Sequence, residues 1–231
     1  MNELLLIATL LVTYTAILSA FRFFGKTGLY ALNAVITVLA NIEVLMVVRA
    51  FGIEQTLGNV LFASTFLITD LLSESEGRRA ANRAVAMGMG ANVLFLVLTQ
   101  LWLAYVPSES DWATPSIHAL FTQAPRVVGA SLAVYVVSQL LDVWIYHKWW
   151  NLTSRLSGSR HAGLWLRSNG STMISQLVNT VLFVLLAFYG VYDRATLVSI
   201  VASTYAVYFV ISLLNTPVEY LARHINENTK L

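Results

Sequence analysis

Seven stretches of the chain stay apolar over lengths that can bridge a bilayer. They run from Leu4 to Phe21, Leu29 to Val48, Asn59 to Leu72, Ala84 to Val106, Val127 to Tyr146, Thr172 to Tyr189 and Leu197 to Leu214. A helix needs about 20 mostly apolar residues to cross a hydrocarbon core about 30 Å thick. The third stretch reaches that length only by continuing through the acidic segment SESEG. The pattern predicts an all-α, polytopic transmembrane helix bundle of about seven spans. Residues 1–231 read as a single integral membrane domain, because the longest connections, PSESDWATPSIHALFTQAPR and HKWWNLTSRLSGSRHAGLWLRSNG, are too short to fold separately. The first stretch lacks a basic residue ahead of it and an A-x-A-like cleavage site, and Arg22 and Lys26 follow it, so it reads as a retained span.

Polar residues interrupt these spans where lipid should exclude them. Asn33, Thr37, Asn41 and Glu43 fall in the second, Asp70 in the third, Gln139 and Asp142 in the fifth, and Thr172, Gln176 and Asn179 in the sixth. An ionisable side chain in a membrane costs at least about 2.5–3.5 kcal/mol, so such groups face a cavity or a partner. Gln139 and Asp142 are three apart, and Thr172, Gln176 and Asn179 fall at i, i+4 and i+7, so each set shares a helix face. Interhelical hydrogen bonding alone would also account for individual amides and hydroxyls. Asp70 could instead pair with Arg78 or Arg79, and Asp142 could reach toward Lys148. Ala80, Ala84 and Gly88 recur every four residues, a ribbon that lets helix backbones approach closely. In RSNGST, Arg167 is expected at the cytoplasmic face, with Gly170 loosening the backbone and Ser171 or Thr172 capping the sixth helix.

Composition confirms the membrane reading: 57% of the 231 residues are hydrophobic and 11% charged, against roughly 25% charged in a soluble domain. The mean hydropathy is +0.68. Eleven of the 14 Lys and Arg residues, Arg22, Lys26, Arg78, Arg79, Arg83, Lys148, Arg155, Arg160, Arg167, Arg223 and Lys230, fall on one side of a seven-span layout. Arg49, Arg126 and Arg194 fall on the other. The positive-inside rule then puts the N-terminus outside and the C-terminus in the cytoplasm of a multi-pass protein of the inner (plasma) membrane. Trp149, Trp150 and Trp165 lie where interfacial rings anchor a helix. A net charge of +2 gives no reason to expect nucleic acid, and the absence of cysteine excludes disulfides and thiolate metal sites. His118, His147, His161 and His224 are scattered without metal-ligand spacing. No Walker A, G-x-G-x-x-G or G-x-S-x-G motif occurs, so neither a cofactor nor an enzyme is expected.

Four segments carry a family likeness: ANIEVLMVVRAFG from Ala40, LFASTFLITDLLSESEG from Leu61, SQLLDVWIYHKWW from Ser138 and LWLRSNGSTMISQLVNTVLF from Leu164. In this order and at these separations they resemble the queuosine precursor transporter family of vitamin-uptake-like (VUT) membrane proteins. The resemblance covers roughly Leu29 to Leu214 and implies import of 7-cyano- or 7-aminomethyl-7-deazaguanine, or a related deazapurine, for modifying tRNA. It also implies a six-span core to which the first helix is an N-terminal addition. The chain departs from the family in having Asn179 for the usual Asp, Glu76 for Tyr and Met46 for a frequent Lys, and Glu43 is not expected there.

A deazaguanine presents a ring N–H beside an exocyclic amine, a donor pair that one carboxylate can accept, and a carbonyl that accepts from amides or hydroxyls. Asp142 is expected to take the amino edge, with Asp70 an alternative. Asn41, Gln139, Gln176 and Asn179 suit the other edges, and Tyr135, Trp144, Tyr146 and Phe183 offer ring faces. Glu43 would serve a cationic substrate, and Asn169 and Thr172 would position the ligand near the RSNGST segment. The expected partners are the small deazapurine and the lipid bilayer, with a homo-oligomer or an energising module left open. Two other readings are a substrate-binding subunit of a multi-component vitamin transporter and an intramembrane metal-dependent enzyme, the latter suggested by the spacing of Asp70 and Glu74.

Overall fold

The computed structural model describes residues 1–122, 124–158 and 163–229. Arg160, His161, Lys230 and the side chain of Arg126, which entered the charge and histidine readings, lie outside the described residues. The elements are α1 (Asn2–Glu43), β1 (Val47–Ala50), β2 (Ile53–Thr56), α2 (Asn59–Glu76), α3 (Arg78–Trp102), α4 (Thr114–Phe121), α5 (Ala124–Ser157), α6 (Leu164–Phe188) and α7 (Arg194–Thr229).

α1 is not one rod. A straight helix of its 42 residues would run about 63 Å, yet Asn2 Nδ2 donates to the Arg49 carbonyl at 2.9 Å and Phe51 N–H to Glu3 Oε1 at 3.3 Å. The chain reverses at Gly25, whose φ of 57° and ψ of −142° are open to glycine and strained for other residues. Gly28 consequently lies against the backbone of Ala20, a pair that a continuous helix would hold about 12 Å apart. Residues 2–24 and 26–43 are therefore two antiparallel limbs, which contain most of the first two apolar stretches.

The second limb stops at Glu43, short of the expected Val48, and the chain turns into an antiparallel hairpin pairing Val47 with Thr56 and Ala50 with Ile53. Phe51 and Gly52 form its turn with φ of 52° and 76°, the positive pair that a two-residue hairpin needs. Other boundaries also differ from expectation. α5 runs on to Ser157, and α7 continues through Pro217 to Thr229 rather than ending at Leu214. α6 begins at Leu164, so Ser171 and Thr172 sit inside it and cap nothing.

Among the described residues five helices are long and apolar enough to cross a membrane: α1, α3, α5, α6 and α7. α2 carries Asp70, Glu74 and Glu76 and survives by enclosure, packed by α1, α3, α5 and α7 and buried at nearly every residue from Asn59 to Ser73. Lipid tails are as apolar as leucine, so close packing and internal hydrogen bonds hold such a bundle. Ala81 and Ala84 are fully buried, and Asn33 on the second limb donates to the Ala84 carbonyl at 2.9 Å. A side chain at Gly88 would collide with the Tyr135 hydroxyl and Asn33, so the ribbon of small residues is what lets α3 seat that polar pair. Outside the bundle, the hydroxyl and N–H of Thr196 and the N–H of Ala195 hold the Asp193 carboxyl below the usual carboxylate range at the start of α7.

Candidate functional site

A cavity of about 70 Å³ opens between the second limb of α1, the start of α2, α3, α5, α6 and α7, at the end of the bundle that carries the β-hairpin. Four asparagines line it: Asn41, Asn59, Asn92 and Asn179. Asn41 Nδ2 donates to Asn92 Oδ1 at 2.7 Å and to the Thr37 carbonyl at 3.1 Å, which fixes the orientation of the amide and leaves its Oδ1 buried and unpartnered. Asn59 is the complement. Its Oδ1 accepts from Thr56 at 3.0 Å and from the Tyr208 hydroxyl at 3.3 Å, leaving Nδ2 buried and unpartnered. Phe62 links the rings of the wall, with centroids 6.2 Å from Tyr135 and 6.0 Å from Tyr208. Of the residues the sequence singled out for substrate binding, Asn41, Tyr135, Asn179 and Phe183 line this space.

Toward the other end of the bundle lies a polar layer. Gln139 Nε2 donates to Thr65 Oγ1 at 2.5 Å, and its Oε1 accepts from Thr69 at 3.0 Å, so its amide is tied to α2. Ser138 donates to Asn179 Oδ1 at 3.2 Å, joining α5 to α6. Gln176 is fully buried with neither amide atom hydrogen-bonded.

Three buried carboxyl groups follow. Asp70 Oδ2 accepts from Ser168 at 2.8 Å and Thr172 at 3.3 Å, not from Arg78 or Arg79. Ser168 Oγ also lies 2.5 Å from Glu219 Oε1. Asp142 adjoins Asp70, Ser171, Thr172 and Ser175, but neither of its oxygens meets a donor in hydrogen-bond geometry. It is not paired with Lys148, which lies 5.0 Å from the Trp144 ring. Asp142 sits seven residues beyond Tyr135, about 10 Å along α5, and does not line the cavity.

The remaining expected residues are placed elsewhere. Trp144 is 44% exposed. Asn169 stitches α6 to α7, donating to Thr216 at 2.7 Å and accepting from Ser212 at 3.2 Å. Glu43 is half-buried at the end of α1 with Oε2 unpartnered. Arg167, expected at the cytoplasmic face, is fully buried: Nη2 lies 2.7 and 2.6 Å from the two Glu74 oxygens, and the guanidinium stacks 4.5 Å from the Trp150 ring. Gly170 does not loosen a turn; a side chain there would overlap the Trp149 ring, so its bareness seats that indole within the α5–α6 contact.

The family model described as "Putative vitamin uptake transporter" matches residues 56–222. The chain belongs to this family. It is 34% identical to the "Probable queuosine precursor transporter" of Bacillus subtilis (strain 168) over 218 residues, covering 94% of this chain and 93% of that protein. It is 28% identical over 151 residues to the "Queuosine precursor transporter" of Escherichia coli (strain K12), covering 65% of this chain and 62% of that one. No solved structure matches. The family's members are transporters and not enzymes, and the apolar helices here fit a multi-pass protein of the plasma membrane.

Sequence reasoning missed Glu219, Ser168, Asn59, Asn92 and the Arg167–Glu74 pair. A signal existed for Glu219: Ser212, Asn215 and Glu219 fall at i, i+3 and i+7, and all are buried. Pro217 obscured it, because a proline breaks the helical hydrogen-bond ladder and so reads as a stop. The stripe Ser168, Ser171, Thr172, Ser175, Gln176 and Asn179 has helical spacing from end to end.

Proposed function

We propose that the chain imports a queuosine precursor, a neutral 7-deazaguanine such as 7-cyano-7-deazaguanine, and that the asparagine-lined cavity receives it. The observation that carries this reading is the complementary pair of unpartnered amide atoms, Asn41 Oδ1 and Asn59 Nδ2, on residues lining one ring-walled space. An amide oxygen accepts from the ring N–H and exocyclic amine of the base, while an amide N–H donates to its carbonyl. Phe62, Tyr135 and Tyr208 supply faces for the flat ring. Asn41, rather than Asp142, then takes the amino edge, because Asp142 lies beyond the Gln139 layer.

Among the described residues no carboxylate lines the cavity, and burying the aminomethyl cation of the alternative precursor without one would be costly. The nitrile is therefore favoured. At about 70 Å³ the space is far below the roughly 300 Å³ of a small-molecule site, so the walls part when the base enters. The two limbs of α1 together with α2, α3, α5, α6 and α7 make seven crossings in this reading, and one bundle serves as the whole substrate pathway. Arg49 and Arg194 lie at the cavity end, and Arg22, Lys26, Arg78, Arg79, Arg83 and Arg155 lie at the other. The cavity end is then outside.

The test is tRNA modification in cells that cannot make the base, supplied with 7-cyano-7-deazaguanine with and without this chain. Queuosine in tRNA only when the chain is present is expected; its absence, with the protein verified in the membrane, contradicts the proposal.

A further inference from the structure

We propose that Asp70, Asp142 and Glu219, bridged by Ser168, form a proton-binding site through which inward proton movement drives uptake. The coupling half of this inference rests on the transport reading above. The proton half stands on donor counting alone.

Ser168 Oγ lies 2.8 Å from Asp70 Oδ2 and 2.5 Å from Glu219 Oε1. A hydroxyl has one proton to give, so it can donate to only one of these oxygens, and the other contact needs a proton on the carboxyl group. Asp142 poses a related requirement, since a fully buried carboxyl group whose two oxygens meet no donor is costly to hold ionised. The site has capacity to spare: Asp142 Oδ1 and Oδ2, Asp70 Oδ1, Glu219 Oε2 and the hydroxyl of fully buried Ser175 are unpartnered.

The surrounding charges do not satisfy these acids. From α2 comes Glu74, from α5 Tyr146, from α6 Arg167 and from α7 Arg223; Tyr14 of the first limb faces Glu219. Arg167 is held between both oxygens of Glu74, Arg223 Nε pairs with Glu227 Oε1 at 3.2 Å, and Tyr14 donates to Asn215.

Access is from the end opposite the cavity, through a narrow cleft of about 10 Å³ bordered by Asp70, Glu74, Glu219 and Asn226. Protons held here keep α2, α6 and α7 joined through Ser168. Their release to the cytoplasmic side leaves facing carboxylates that repel, and Pro217 inside α7, two residues before Glu219, removes a backbone hydrogen bond there and gives the helix a place to yield.

The experiment uses the purified full chain in proteoliposomes with 7-cyano-7-deazaguanine and the membrane potential clamped. An inward proton gradient should drive accumulation of about tenfold per pH unit at one proton per base. Asp142→Asn and Asp70→Asn should hold the internal base near the external level yet still exchange labelled for unlabelled base. Accumulation that ignores the proton gradient, follows a sodium gradient instead, or persists in both variants overturns the proposal.

Infrared spectra of the same protein without base supply the second arm. A protonated-carboxyl band at neutral pH in wild type, weakened in Asp142→Asn or Glu219→Gln, is expected. Its absence in wild type overturns the proton site. Failure of wild type even to exchange the base refutes the substrate reading, and the infrared arm then decides the proton site separately.

Discussion

Arg167 and Glu74 meet inside the bundle, one guanidinium nitrogen held between both carboxylate oxygens at 2.7 and 2.6 Å. The Tyr146 hydroxyl donates to Glu74 at 2.9 Å and accepts from Arg167 Nε at 3.3 Å, so α2, α5 and α6 are tied at one point. Removing one partner strands a buried charge, whereas removing both need not. Arg167→Met is expected to cost about 3–5 kcal/mol, and Arg167→Met with Glu74→Leu markedly less. Thermal unfolding in detergent measures both; equal loss in the two proteins would show that the ion pair is not what holds this point.

Gly170 and Trp149 make a second, purely steric tie. Gly170→Leu should destabilise the α5–α6 contact by at least about 1–3 kcal/mol, the usual cost of overfilling a packed site. Adding Trp149→Ala removes the obstructing ring and should recover much of that loss. A double variant no more stable than Gly170→Leu would place the clash elsewhere.

Gln139 separates a structural amide from a ligand-binding one. Both ends of its side chain are bonded to α2 threonines, so Gln139→Leu is expected to lower stability by about 1–3 kcal/mol through the loss of two buried hydrogen bonds, while the Thr65 and Thr69 hydroxyls keep the Phe62 and Phe66 carbonyls. Base affinity in the folded fraction should be unchanged. A weakened affinity with stability intact would return Gln139 to the substrate site.

How far the sequence revealed this molecule follows from which signals were local. Helical limbs on either side of Gly25 and the polar faces of α5 and α6 were legible, because a 3.6-residue period and a run of apolar residues are properties of the chain itself. The hairpin at Val47–Thr56 was not, since its residues continue an apolar run and only Phe51–Gly52 marks the turn. The N-terminal start of α6 was misplaced because Arg167 and Asn169 look interfacial, and the pairing with Glu74, 93 residues away, that makes Arg167 tolerable inside is not visible locally. Asn41 and Asn179 were found as polar intruders in apolar spans. Asn59 was missed as a binding residue because it begins a helix, where asparagine commonly caps, yet its side chain binds Thr56 and Tyr208. Asp142 drew attention as a lone acid, and its nearness to Asp70 and to Ser168-linked Glu219 depends on three helices that only the fold brings together.

The amide pair of the cavity can be tested by equilibrium binding of 7-cyano-7-deazaguanine to the purified protein, comparing wild type with Asn41→Ala and Asn59→Leu. Each variant should bind about tenfold or more weaker, from about 1–3 kcal/mol of lost hydrogen bonding, with 7-aminomethyl-7-deazaguanine weaker than the nitrile in wild type. Wild-type affinity in both folded variants would contradict the account.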